Sequence, residues 1–412
     1  MKRNILARRA ASAALAACMM FSLSAPALAA STDALLQQST AAKSAVSVLD
    51  EENGMTEEPV YDEMDLNRGS ITVYIGDDGK QYAKQGDYEA QQRGNLQITT
   101  DGGQTANTLT IEGGTTAAKV TLSNVNINAS GAAVSVSGNV ELVITGTNIL
   151  RSGENRAGLE KADDNGTLTI SGSGTLNAYG GESGAGIGSG SQKGCSNIEI
   201  ESGIINAHGG QWGAGIGSGN VGNRPGVLGG SYITINGGDV TAYGGSEAAG
   251  IGGGFKGNGK DITINGGTVH AESGGGNGPV AAIGGGRVDG KGENIQITGG
   301  NVTLKTVDDD DIYIGNGQQE AEIDPSKLFG TITKLDKDGN QVDEIVQYFD
   351  IIINGQSVNS KNYNNILGGT LCYDIEEKTL KLKDGKSFED ALTITAPEDV
   401  SIDLEADASH VV

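Results

Sequence analysis

From Thr167 to about Lys305, apolar and polar residues alternate in short runs, and the runs recur. "TLTISGSGTLNAYGGESGAGIGSG" from Thr167 is followed by "NIEIESGIINAHGGQWGAGIGSG" from Asn197 and "YITINGGDVTAYGGSEAAGIGGG" from Tyr232. "DITINGGTVHAESGGGNGPVAAIGGG" from Asp261 and "NIQITGGNVTLKT" from Asn294 continue the series. Each unit holds a "TIxI" run, a "VxA" run and an "AGIG" step. The first two have period 2, the pattern of a strand with one buried face. Ile233, Ile235, Val240 and Ala242 should therefore point inward, and Thr234, Thr241 and Tyr243 outward. Helical spacing is absent from this region.

The anchor isoleucines Ile187, Ile216, Ile251 and Ile283 are 29, 35 and 32 residues apart, and Ile314 follows at 31. Leu159 and Val134 are earlier, weaker members. A period of 20–50 residues marks a solenoid, a propeller or an array. A propeller blade needs four strands, whereas three runs per unit fit a triangular coil. The predicted fold is all-β, a right-handed parallel β-helix with three short strands per rung and rungs about 4.8 Å apart. In such a coil each corner lies against its own copy above and below. Glycine permits that approach, and the single Ile fills the narrow core. The "GAGIG" step is thus architecture. It is no phosphate cradle, because neither Lys-Ser nor Lys-Thr follows it.

Glycine contributes 67 of the 412 residues and proline only 6. Without the alternating Val, Ile and Leu, that composition would read as disorder. Residues 1–30 read as a secretory signal: Lys2, Arg3, Arg8 and Arg9, then an apolar run ending in "APALAA". "LAAC" at Leu15–Cys18 also matches a lipoprotein signal, but the residues after it stay apolar, which favours ordinary export. No segment is apolar enough for a permanent membrane span. The exported chain holds 24 basic and 52 acidic residues, a net charge of −28. That charge argues against nucleic acid and anionic lipid as partners. Cys195 and Cys372 remain after export, and their spacing does not establish a disulfide.

Residues 31–68 are polar and acidic and read as a flexible linker. Residues 69–94 read as an N-terminal hairpin or cap turning at Asp78-Gly79, and 95–317 as the β-helix. Residues 318–345 read as a connecting hairpin around "LDKDGNQ", and 346–412 as the start of a second β module cut short or covered at its end.

The stretch "KVTLSNVNINASGAAVSVSGNVELVITGTNILRSGENRAGLEKADDNGTLTISGSGTLNAYGGESGAGIGSG", with "GTNxLxSGxNxAGL" ahead of glycine-isoleucine rungs, resembles secreted, surface-associated proteins of gut and cellulolytic clostridia. Their parallel β-helix modules are commonly described as carbohydrate-binding. One branch resembles calcium-binding β-helices that attach to pectin-like acidic polysaccharide. The likeness spans roughly Ser70 to Gly317 and implies a β-helix outside the cell, either secreted or held at the cell surface.

The chemistry legible in the residues is that of binding. β-helix hydrolases carry "NTD", "GHG" and "RIK" motifs, none of which occurs here. "AHGG" at Ala207–Gly210 comes nearest, yet the aligned rungs place Tyr179 and Tyr243 where it has His208. His270 aligns instead with Asn206 and Thr241. Arg287 and Arg224 lack the neighbouring acids that a lyase needs. No enzyme is expected. In the repeat register Arg151, Tyr179, His208, Tyr243 and Glu272 form one outward column. Tyr179 and Tyr243 would lie about 9.6 Å apart, close to the length of two sugar units, with Trp212 in a nearby turn. A glycan could lie along this column, or the rings could simply stack to stabilise the sheet. Asp308, Asp309, Asp310 and Asp311 in "VDDDDIY", and Asp163 and Asp164 in "KADDNG", are runs of the kind that binds Ca²⁺, the alternative being solvated turns. The expected function is a non-catalytic carbohydrate-binding or adhesive module. A structural spacer without a glycan ligand is the second reading, and a polysaccharide lyase or hydrolase the third.

Overall fold

The computed structural model describes residues 61–161, 165–222, 229–316, 319–320, 330–342, 346–375, 377–383 and 392–403. Each rung contributes one strand to each of three sheets. In one rung these are Leu168–Gly172 in sheet 1, Thr175–Tyr179 in sheet 2 and Ile187–Gly188 in sheet 3. The next rung repeats the order with Cys195–Ile200, Ile204–His208 and Ile216–Gly217. Pairing runs between rungs, parallel and in register, so residues one repeat apart stack.

The period-2 pattern explains the burial. Ile198, Ile200, Ile233, Ile235, Val240 and Ala242 are fully buried, while Thr234, Thr241 and Tyr243 lie on the outer face. The anchor column of sheet 3 runs Val134, Leu159, Ile187, Ile216, Ile251, Ile283 and Ile314 in continuous register. It also extends below Val134, through Leu109 to Ile71. The solenoid therefore starts before Asn95: strand Asp62–Asp65 already pairs in parallel with Leu96–Thr99 of sheet 1. Those first rungs lack the glycine step, which is why the sequence hides them. Asp62–Asp65 reads DEMD, and its charged side chains discourage another chain from pairing with this edge.

Antiparallel hairpins close both ends of the coil. Ile71–Ile75 pairs with Gln81–Gln85 on sheet 3. At the far end Gly330–Leu335 continues sheet 2 as a parallel strand and then takes Val346–Ile353 antiparallel. The turn at Asp336–Gly339 lies between these two strands, closed by the Asn340 carbonyl accepting from Asp336 N–H at 2.9 Å. The C-terminal strands gather a separate core of Ile351, Ile353, Val358, Ile366, Leu371, Tyr373 and Leu380. Cys195 is buried in sheet 1 and Cys372 lies in this C-terminal unit; no disulfide joins them.

Sheet 1 carries a regular irregularity. Asn197, Tyr232, Asp261 and Asn294 occupy one stacked position with φ between +50° and +60°. Asn and Asp tolerate that left-handed conformation, whereas a tyrosine there is strained. Tyr232 is 56% exposed.

Candidate functional site

Sheet 2 presents the site. Its outer face carries three parallel columns, two residues apart along each strand. The outermost column reads Asn128, Arg151, Tyr179, His208, Tyr243, Glu272 and Lys305 in unbroken register. The five residues read from the repeat are therefore brought together, and Lys305 extends the row. The middle column runs Asn126, Ile149, Asn177, Asn206, Thr241 and His270.

The rings are stacked face to face. Tyr179 and His208 have centroids 4.7 Å apart and planes 7° from parallel. His208 and Tyr243 are also 4.7 Å apart, at 13°. Below, the Arg151 guanidinium lies 4.4 Å from the centre of the Tyr179 ring. Above, His270 meets Tyr243 edge-on at 6.1 Å. The rung spacing matches the thickness of an aromatic ring, so in-register copies stack without strain. Both faces of Tyr179 and of His208 are thereby covered. What the column offers outward is a row of edges: two phenol hydroxyls with an imidazole between them. At the upper end Glu272 receives Lys305 at 3.3 Å and lies 3.4 Å from His270.

The glycine steps position this row. A Cβ on Gly158 would lie 2.6 Å from the Tyr179 backbone nitrogen, and one on Gly186 2.5 Å from that of His208. On Gly215 it would lie 2.7 Å from the nitrogen of Tyr243. Real Cβ atoms do not approach so closely. The glycine ahead of each anchor thus lets the ring-bearing strand close against sheet 3.

Burial between two rings, followed by the charge of Arg151, lowers the His208 imidazole below its ordinary value of 6.5. His208 is therefore neutral at pH 7. Stability from this group is complete above pH 6.5 and is lost as the pH falls through the lowered value. In an NMR titration His208 should titrate below pH 6.5. Arg151→Gln should raise its midpoint only part of the way, because burial remains.

The other expected site residues are dispersed. Trp212 lies half-buried in the turn after Ile204–His208, and its ring joins no aromatic contact with the stack. The Asp308–Asp311 carboxylates do not converge. Asp308 accepts from Gly276 N–H at 2.7 Å, and Asp309 pairs with Lys337 at 2.6 Å. Asp311 accepts from the Ser273 hydroxyl at 2.5 Å and from the N–H groups of Val280, Val307 and Asp308. Burial nevertheless raises the Asp311 carboxyl, against the pull of those bonds. Its stabilising contribution is therefore complete below about pH 3.8 and is lost as the pH rises through the raised value. Among the described residues no group of three or more His, Cys, Asp or Glu is placed to hold a metal ion. Asp163, Asp164 and Arg224 lie outside the described residues. Arg287 is held by Glu247 at 2.6 Å.

Two features escaped the sequence reading. Glu160 occupies the position of Gly188 in the next rung and is fully buried. Lys193 reaches it at 3.3 Å, and Arg156 Nε lies 2.9 Å away without a hydrogen-bonding angle. Asn148 replaces an inward Leu or Ile, and its amide ties three rungs together through Val125, Thr145 and Thr175. In both cases the signal was a polar residue at an aligned core position.

Four segments, residues 168–191, 198–220, 233–255 and 262–287, match the family model described as Beta helix repeat. Each match begins at the same stacked position of sheet 1, Leu168, Ile198, Ile233 and Ile262, and crosses all three sheets once. This is a parallel β-helix repeat protein. The β-helix extends beyond the matched segments in both directions, since the same stacking runs from Asp62 to Leu335. No curated protein and no solved structure matches the chain. No described helix is long and apolar enough to cross a membrane.

Proposed function

We propose that the chain is a non-catalytic extracellular module that binds a neutral glycan along the outer face of sheet 2. One observation carries this reading: the unbroken column from Arg151 through Tyr179, His208 and Tyr243 to Glu272 and Lys305. It presents hydrogen-bonding edges at the repeat of one rung, and two rungs approach the length of two sugar residues. The signal-like N-terminus supports an extracellular setting. A net charge of −28 on the exported chain disfavours acidic polysaccharide unless a cation bridges the two. Because the ring faces cover one another, a sugar meets hydroxyls and the imidazole edge rather than flat platforms. The same covered faces favour the second reading, a spacer whose rings serve only the sheet.

Binding of the exported chain to a polysaccharide panel, with calcium and with chelator, tests the proposal. Neutral glycans should retain the protein equally in both conditions. The double variant Tyr179→Phe/Tyr243→Phe keeps the stack and removes both hydroxyls. At about 1 kcal/mol per hydrogen bond, it should bind at least tenfold more weakly with an unchanged unfolding midpoint. Retention by no glycan leaves the spacer. Chelator-sensitive retention on polygalacturonate alone would refute the neutral-glycan reading.

A further inference from the structure

The loop "SGGGNGPV", Ser273–Val280, joins strand Thr268–Glu272 of sheet 2 to strand Ala281–Gly284 of sheet 3. Asn277 is exposed within it, and Gly275, Gly276 and Gly278 around it hold φ of +63°, +135° and +154°. Glycines on both sides leave the backbone free to swing. We infer that Asn277 is a site of spontaneous covalent modification, its side chain closing on the Gly278 nitrogen to give aspartate or isoaspartate at position 277.

Attack on an asparagine carbonyl carbon by the next backbone nitrogen has three requirements. The following residue must be small, its N–H free of hydrogen bonds, and the side-chain carbonyl unspent. Six Asn-Gly pairs lie among the described residues, and they differ in these respects. Asn236 and Asn265 are held in a ladder: Asn236 donates to Glu201 at 2.6 Å, Asn265 to Asn236 at 2.8 Å, and Thr298 to Asn265 at 2.5 Å. Asn258 Oδ1 accepts from Lys291 N–H at 2.9 Å, and the Gly259 N–H donates to the Lys291 carbonyl. Asn354 Oδ1 accepts from Thr393 N–H at 2.8 Å. Asn165 borders residues outside the described set. At Asn277 only Nδ2 is engaged, donating to Glu247 Oε1 at 3.2 Å. Its Oδ1 and the Gly278 N–H bind none of the described residues.

An ion pair flanks this peptide. Glu247 holds Arg287 at 2.6 Å, and a Cβ built on Gly278 would lie 3.4 Å from Arg287 Nε. The two side chains are only 12% and 26% exposed, so water and salt screen them little. The pair is oriented as the reaction requires: the cation lies beside the nitrogen that turns anionic, the carboxylate beside the nitrogen that leaves. The Gly278 nitrogen gives up its proton and bonds to Asn277 Cγ. The Cγ–Nδ2 bond breaks, and Nδ2 departs as ammonia with that proton. Water then opens the cyclic imide at either carbonyl. The new carboxylate replaces an amide that donated to Glu247, so Arg287 becomes the cation shared by two acids.

The test is peptide mass spectrometry of the folded protein aged at mildly alkaline pH, with fragmentation to assign each site. Asn277 should gain about one mass unit, the exchange of NH₂ for OH. It should do so about tenfold faster than Asn236, Asn258, Asn265 and Asn354, whose hydrogen bonds must first open. In the urea-unfolded chain the five rates should converge. Arg287→Gln removes the cation beside Gly278 and should slow the change at Asn277 severalfold, while unchanged rates at Asn236 and Asn258 show that the rungs stay closed. No gain at Asn277, or a gain no faster than at the four held pairs, overturns the inference. A rate in Arg287→Gln equal to or above that of the parent overturns the part assigned to the ion pair.

Discussion

Gly215→Ala should cost the fold about 3 kcal/mol, the upper end of what overpacking costs in a protein interior. The added methyl would sit 2.7 Å from the Gly250 carbonyl oxygen, 2.7 Å from the Tyr243 nitrogen and 2.9 Å from the Ala242 carbonyl carbon. All three are backbone atoms of the next rung, so no side-chain rotation relieves the clash. The glycine is needed for space alone, since its φ lies outside the positive range. Urea unfolding measures the loss, and the His208 imidazole resonance should shift as the ring above it is displaced. Gly131→Ala is the control. A Cβ there meets nothing within 4 Å, and the unfolding midpoint should move by no more than the equivalent of about 0.5 kcal/mol. Equal effects at the two positions would refute the view that the corners set the rung spacing.

Glu160→Ala should be nearly as damaging, at about 2–3 kcal/mol. The carboxylate is fully buried and gathers Lys193 at 3.3 Å, Arg156 Nε at 2.9 Å and the Ala157 N–H at 3.2 Å. Removing one partner of a buried pair typically costs 3–5 kcal/mol, roughly. Here both cations are about 40% exposed, so water screens part of the loss. The remainder is a cavity and an N–H left without its acceptor. Glu141→Ala, which breaks a 2.8 Å pair with Lys119 on the open surface, should change stability by no more than about 0.5 kcal/mol. Calorimetry of the two variants side by side separates buried from exposed charge. A Glu160 variant as stable as the parent would mean that the site closes over the deletion.

The rung itself was legible because its signals repeat. Alternation gave inward and outward positions, and the spacing of Ile187, Ile216, Ile251 and Ile283 gave the register. The ring column followed from that register alone, since residues at equivalent positions must stack. What no spacing could convey was that the ring planes lie within 7° to 13° of parallel, which covers their faces and turns a platform into a row of edges. The acid run at Asp308–Asp311 misled for a related reason. Adjacent carboxylates in sequence point to different partners once a turn separates their side chains. Rungs before Leu96 were missed because they meet the same geometric demand with larger residues and no glycine step.

The direction of the hydrogen bonds has a mechanical consequence. Strands lie across the coil, so the bonds between rungs run along its axis, and tension applied from end to end falls on one interface at a time. The coil should then yield like a zip rather than a rope. Rungs of 29 to 35 residues would let go singly, each releasing on the order of 100 Å of chain. A solenoid built this way lengthens stepwise under pull while the rungs still closed keep their ring column intact.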